Sequence, residues 1–280
     1  MNDSGSGIGD LAPARSGAAA SPLEAQHVGF DYSGQIVLRD LSLRLPAQRL
    51  TALVGPNGSG KSTLMSTLAR LHAPSAGRIV LDGRDIGSYP TKEVARRMAI
   101  LPQTPIVPEA ITVFDLVSRG RYPHQTTFRR WTEADTAAVE RAMEMTNTLD
   151  FSTRPVDSLF GGQRQRCWIA MALAQQTEII LLDEPTSALD LHFQLEILDL
   201  LHRLTREHRQ TVAIVLHDLN LASSHADHMV FLAGGRIVAE GPTVEVCTAE
   251  TIETVFGVPV HMLPHPETGR PVFTPRGVRS

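Results

Sequence analysis

Gly55-Pro56-Asn57-Gly58-Ser59-Gly60-Lys61-Ser62-Thr63 fits the pattern G-x-x-x-x-G-K-[ST] without a mismatch. Its flanks decide what the pattern means. Leu50-Thr51-Ala52-Leu53-Val54 is a short apolar run, the mark of a buried strand. Ser62 to Leu71 reads as a helix with Leu64, Leu68 and Leu71 on one face. Strand, glycine loop and helix in that order aim backbone N–H groups and a helix N-terminus at one anion. The glycines let the backbone approach phosphate oxygens closely. The pattern gives Lys61 to the β- and γ-phosphates of a nucleotide and the Ser62 hydroxyl to Mg2+. A glycine-rich turn with a surface lysine is the bland alternative, and the strand and helix argue against it. Gly5-Ser6-Gly7-Ile8-Gly9 follows no strand and opens no helix, so it is not a second such loop.

The chain has 280 residues, 42% of them hydrophobic, enough for one large α/β domain with an inserted subdomain. A net charge of −4 argues against a chain-wide nucleic-acid footprint. The two cysteines, Cys167 and Cys247, lie far apart with no metal-ligand spacing and read as free thiols in a reducing compartment. No apolar stretch approaches the roughly 18 residues that a bilayer span needs. Residues 1–22, rich in Gly, Ala and Ser, are expected to be a disordered tail without the basic start and apolar block of a signal peptide.

Leu23 to Phe30 and Ile36 to Leu45 form an expected antiparallel pair around Tyr32-Ser33-Gly34, with Leu41, Leu43 and Leu45 on one face. Further strands are expected at Ile79–Leu81, Met98–Leu101, Ile179–Leu182 and Val212–Leu216, with a hairpin around Gly234-Gly235. Helices are expected at Lys92–Arg97, Thr112–Arg119, Trp131–Leu149, Arg164–Ala174 and Gln194–Glu207, the last with Leu195, Leu198 and Leu201 on one face. Residues from about 104 to 165 therefore form a helix-rich insert. Within it Arg119, Arg121, Arg129 and Arg130 interleave with Tyr122, Phe128 and Trp131. The favoured reading is a solvated or protein-contacting face, not an RNA surface, because the whole chain is acidic. A hairpin is also expected around Thr268-Gly269, and 271–280 as a tail.

Three strands end in polar groups: Gln103, Asp183-Glu184 and His217. In a parallel sheet shared with the loop strand, all three ends lie on one edge beside Lys61. Nucleotide hydrolysis needs such a set. Asp183 would hold Mg2+, Glu184 would take a proton from the attacking water, Gln103 would orient that water or touch the metal, and His217 would hold Glu184 and the γ-phosphate.

From Leu23 to about Arg270 these motifs, in this order and spacing, resemble the ATPase subunits of ATP-binding-cassette (ABC) transporters. Gly120-Arg121-Tyr122-Pro123-His124-Gln125, Gly162-Gln163-Arg164-Gln165-Arg166, Trp168-Ile169-Ala170-Met171 and Leu216-His217-Asp218-Leu219-Asn220 resemble the ferric-siderophore import ATPases, relatives of the haem and cobalamin importers. The resemblance implies a P-loop NTPase fold over 23–270, with an N-terminal antiparallel β element and the helical insert. It implies ATP and Mg2+, and two cassettes, expected to be identical, stacked head to tail. Each site would join one loop, Gly55 to Thr63, to the partner's signature, Leu159-Phe160-Gly161-Gly162-Gln163, with Ser187-Ala188-Leu189-Asp190 as the adjoining loop. It makes Tyr32 the ring stacked on adenine, with Phe30 the alternative. It puts the chain at the cytoplasmic face of the bacterial inner membrane, under permease subunits and, through them, an extracytoplasmic binding protein, with no nucleic-acid partner. One residue departs: the family's signature serine, which donates to the γ-phosphate held by the opposite cassette, is Phe160 here. Impaired hydrolysis is the expectation. A non-hydrolysing regulatory module and a soluble non-transport cassette ATPase are the other readings. No internal repeat or heptad pattern supports the latter.

Overall fold

The computed structural model describes residues 21–105, 110–125, 131–187 and 189–277. Nearly all of the expected N-terminal tail, together with Phe128, Arg129, Arg130 and Ala188, lies outside them. β1 (Leu23–Tyr32) and β2 (Gln35–Leu45) pair antiparallel around Ser33-Gly34. β3 (Leu50–Val54) runs through the glycine loop into α1 (Lys61–Leu68). β4 (Ala76–Leu81) returns to pair with β1, and the short β5 (Arg84–Asp85) pairs with β4. α2 (Thr91–Arg97) leads into β6 (Met98–Leu101). The insert holds α3 (Val113–Ser118) and α4 (Glu133–Met145), with 3-10 turns at Arg119–His124, Leu149–Phe151 and Val156–Ser158, and closes on α5 (Gly161–Ala174). Then come β7 (Ile179–Leu182), α6 (Leu191–Arg206), β8 (Thr211–Val215), α7 (Leu219–His225), β9 (His228–Ala233) and β10 (Arg236–Pro242). α8 (Thr243–Val246), α9 (Ala249–Phe256), β11 (Val260–Pro264) and β12 (Pro271–Pro275) finish the described chain.

Among the described residues the strands make a four-stranded antiparallel sheet ordered β2-β1-β4-β5, a six-stranded sheet ordered β10-β9-β3-β8-β7-β6, and the β11-β12 hairpin. In the six-stranded sheet β9, β3, β8, β7 and β6 run parallel and β10 is antiparallel. Its parallel strands β3, β7 and β8 are buried along their whole length because both faces are covered. Leu53, Leu181, Ala213 and Val215 point to a core shared with the antiparallel sheet and with Leu64 and Leu68 of α1. The alternate residues Ala52, Val54, Leu182, Val212 and Ile214 point to a second core under the helices.

Several expectations need correction. α1 stops at Leu68, so Leu71 lies past the helix and is exposed. α4 ends at Met145, four residues before the expected Leu149. On α6 the buried stripe is Ile197, Leu198, Leu201 and Leu204; Leu195, about 160° round the helix from Ile197, is partly exposed. Arg121 is on no surface. It is buried, donating to Asp135 Oδ1 at 3.0 Å and to the carbonyl of Ala174 at 2.8 Å. Breaking such a buried pair costs about 3–5 kcal/mol, so its role is to tie the insert to α5. The boundary at about 165 falls inside α5, whose Trp168, Ile169 and Leu173 share one core with Val117 and Val139 of the insert. The boundary after 270 cuts the terminal hairpin, since 271–275 is strand β12, not tail.

Candidate active site

Sheet order sets the site. β6, β7, β8 and β3 lie side by side and parallel, so their C-terminal ends share one edge. Gln103 follows β6, Asp183-Glu184 follow β7, His217 follows β8 and the glycine loop follows β3. All four meet in one cleft of about 570 Å³, lined also by Tyr32, Gln35 and Val37 of the first hairpin.

The loop is tightly built. Gly60, at φ 102°, is the N-cap of α1, and Gly58, at φ 75°, faces open space. A Cβ on Gly55 would stand 2.1 Å from the Leu232 carbonyl oxygen of β9. The β9–β10 turn closes over the loop: Gly235 N–H donates to the Ser59 carbonyl at 3.2 Å, and Arg39 N–H of β2 to the Gly235 carbonyl at 2.9 Å. Lys61 is 5% exposed, and its Nζ donates to the carbonyls of Gly55 (2.9 Å) and Pro56 (3.0 Å). That leaves one of the ammonium's three N–H donors unused. Ser59 Oγ is buried without a partner among the described residues. A spare ammonium donor, an orphan hydroxyl and a helix N-terminus around an open glycine fit a polyphosphate.

The carboxylates are wired to their neighbours. Glu184 Oε1 accepts from His217 Nε2 at 2.7 Å, and Oε2 from Gln103 Nε2 at 2.6 Å. Glu184 sits at φ 51°, a left-handed backbone that ordinarily costs a non-glycine residue about 1–3 kcal/mol. Asp183 Oδ1 accepts from Ser62 Oγ at 3.0 Å. Burial pushes the Asp183 carboxyl above its usual range; the Ser62 hydrogen bond opposes this and the Glu184 charge adds to it. Burial pulls the Lys61 ammonium below its usual range, and the charges of Glu184 and Asp183 pull it back. The Asp183 carboxylate is buried beside the Ser62 hydroxyl. With the Ser62 hydroxyl and the Gln103 amide it offers hard oxygen donors, too few for a closed cage but suited to Mg2+ that also binds phosphate oxygens.

At the hairpin end of the cleft Phe30 is buried at 8% exposure while Tyr32, packed edge-on against it at 4.8 Å, is 49% exposed. Tyr32 is the ring that lines the cleft. Gln35 and Val37 were not foreseen; their only signal is their place just past the turn that carries Tyr32.

The signature does not join this cleft. Leu159 is buried, Phe160 is the N-cap of α5, and its ring, 79% exposed, gives no side-chain cap. Gly162 is buried against Phe193, whose ring a Cβ there would meet at 2.9 Å. Gln163 Oε1 lies 3.4 Å from the Phe160 N–H, which donates to it. Asp190 caps α6 by accepting from Phe193 N–H at 3.1 Å, and Ser187 Oγ donates to the Glu184 carbonyl at 3.2 Å. Among the described residues, no helix is long and apolar enough to cross a membrane.

Comparison with known proteins gives the family. The family described as ABC transporter matches residues 38–187. The ferric enterobactin transport ATP-binding protein FepC of Escherichia coli (strain K12) is 47% identical over 255 residues, 91% of this chain and 94% of its own. The iron(3+)-hydroxamate import ATP-binding protein FhuC of Bacillus subtilis (strain 168) is 44% identical over 250 residues, 89% of this chain and 93% of its own. The dimeric structure of MJ0796, a bacterial ABC transporter cassette, matches with a TM-score of 0.70 at 26% identity, over 79% of this chain and 98% of that one. Similarity over so much of the chain, joined to a nucleotide cleft of this design, places the protein in the ABC transporter family as an ATP-binding subunit.

Proposed function

We propose that the chain hydrolyses ATP for a bacterial importer of iron–siderophore chelates. It works at the cytoplasmic face of the membrane as a pair of cassettes beneath permease subunits, which receive cargo from an extracytoplasmic binding protein. The observation that carries the hydrolytic reading is the Glu184 carboxylate, held between His217 and Gln103 beside Lys61. The cargo reading rests on the relatives FepC and FhuC, named for ferric enterobactin and iron(3+)-hydroxamate.

In this reading the loop N–H groups and the spare Lys61 donor hold the ATP phosphates, and Tyr32 stacks on adenine. Glu184 accepts a proton from water as the water oxygen bonds to the γ-phosphorus. The bond to the β–γ bridging oxygen breaks, and ADP departs with its electron pair. His217 and Gln103 each occupy one Glu184 oxygen and fix the carboxylate's orientation; each oxygen keeps a lone pair for the proton. Mg2+ held by Ser62, Asp183 and Gln103 would neutralise phosphate charge. Leu159 to Gln163 and Ser187 to Asp190 serve the ATP of the other cassette. Phe160 presents a ring where a hydroxyl donor is expected, and one lost hydrogen bond to a charged group is worth roughly 1.5–3 kcal/mol. This favours a second reading, an ATP-binding module of weakened turnover.

The chain, reconstituted in vesicles with its permease and binding protein, should drive ATP-dependent uptake of a ferric siderophore, and Lys61→Ala should abolish it. Uptake of haem or cobalamin instead would move the cargo. Uptake indifferent to Lys61→Ala would sink the ATPase reading.

A further inference from the structure

The helix that follows His217 is held from outside by the chain's last strand. α7 begins two residues after His217, with Asp218 between them as its cap, accepting from Leu221 N–H at 2.9 Å. Near its start, Asn220 exchanges two hydrogen bonds with Phe273 of β12: Nδ2 to the carbonyl at 3.2 Å, and Phe273 N–H to Oδ1 at 3.0 Å. In its middle, the buried Ser223 Oγ donates to the Pro271 carbonyl at 2.7 Å. At its end, Arg270 Nη1 donates to the carbonyls of Ser223 (3.2 Å), Ser224 (3.2 Å) and Ala226 (2.8 Å). The last carbonyls of a helix have no partner within it, and its C-terminus carries partial negative charge. A guanidinium supplied from 44 positions downstream of Ala226 answers both needs.

We infer that Arg270, in the turn of the terminal hairpin, is a positioning residue for His217, acting through α7; this rests on the reading of His217 as the group that orients Glu184. His217 itself is 43% exposed at its side chain, and its ring meets Glu184 at 2.7 Å. The ring's aim therefore depends on the backbone at 217 and 218. That backbone is fixed on one side by β8, where Leu216 N–H donates to the Leu53 carbonyl at 3.2 Å, and on the other by α7. Arg270, Ser223 and Asn220 lock α7 along its length, so that β12 sets the angle at which the helix hands His217 to the cleft. Misplacing a catalytic group slightly from a distance lowers the rate without weakening substrate binding.

The test is a double-mutant cycle on ATP turnover by the full chain, run in parallel on the Phe160→Ser background. Arg270→Ala should lower kcat about tenfold and leave KM for ATP within about twofold. Arg270→Lys, which restores one donor, should recover part of the loss. In a chain already carrying His217→Ala, Arg270→Ala should have no further effect. Thermal unfolding confirms that each variant is folded at the assay temperature. Unchanged kcat in Arg270→Ala, or an equal loss with and without His217, overturns the inference while leaving the site's reading intact. Normal turnover in His217→Ala overturns both.

Discussion

In the proposed function the chain carries two halves of a nucleotide site, and they are built differently. The half on the sheet edge is crowded. Lys61 is buried on two loop carbonyls, Asp183 is held by Ser62, and both oxygens of Glu184 are occupied. The half at the start of α5 is bare: Phe160 is 79% exposed, and its ring satisfies no backbone donor. The first half stores unfavourable terms within one molecule, namely two buried charged groups shifted against their ionised forms and a carboxylate on left-handed backbone. The second stores none and waits for contacts from another molecule. A substitution such as Phe160 can therefore sit in the second half without harming the fold of a single chain.

Three changes separate the halves. The largest effect is expected from Glu184→Gln, which should lower steady-state ATP turnover by roughly 10²–10⁴-fold and leave equilibrium ATP binding intact. A loss of binding as large as the loss of turnover would break the distinction between holding phosphate and activating water. Next is Phe160→Ser, which should raise turnover at least about tenfold, the equivalent of restoring one charge-assisted hydrogen bond. Equal rates for the two forms would show that the bare half tolerates the ring. The smallest is a stability effect of Asp183→Asn. The Asp183 pKa is raised by folding above the ordinary value of 3.8, so the folded chain binds more protons than the unfolded one between those two pKa values. Stability therefore falls as pH rises through that window, and the penalty is complete above the folded pKa. Asp183→Asn should raise the Tm at neutral pH and flatten this slope, while turnover falls. Phe160→Ser, which adds no titratable group, should shift the Tm equally at every pH. A lower Tm for Asp183→Asn at pH 7 would show that the carboxylate is compensated after all.

The crowded half was largely legible in the sequence. An apolar strand that ends in Asp183-Glu184, and another that ends in His217, announce themselves, because covered parallel strands are continuous apolar runs and polar residues appear only where they stop. Interactions between distant segments that share no periodicity were not legible. Gly234-Gly235 signals a hairpin, but nothing local says that β9 also lies parallel to β3 or that Gly235 donates to Ser59. Arg121 reads as surface because arginine usually is. Only tertiary structure brings it within reach of Asp135 and the Ala174 carbonyl. Leu195 followed a spacing of three that drifts round a helix, so a stripe drawn through it strayed to the exposed side. The pairing of α7 with β12 had no local signal, since Asn220 and Arg270 are individually unremarkable polar residues.

The position of β3 has a consequence for how the chain is made. Its neighbours in the sheet are β8 and β9, and contacts at and just before its start reach across 163 positions (Gln48 to Thr211) and 177 positions (Leu50 to Asp227). The glycine loop is translated after the hairpin that carries Tyr32, Gln35 and Val37 but well before β9, which brings the Leu232 carbonyl against Gly55, and the following turn, which brings Gly235 to Ser59. Contacts of such long sequence separation form late. The phosphate motif is therefore translated long before Gln103, Glu184, His217 and β9 exist to complete its cleft, and ATP bound there stabilises chains that extend past β9.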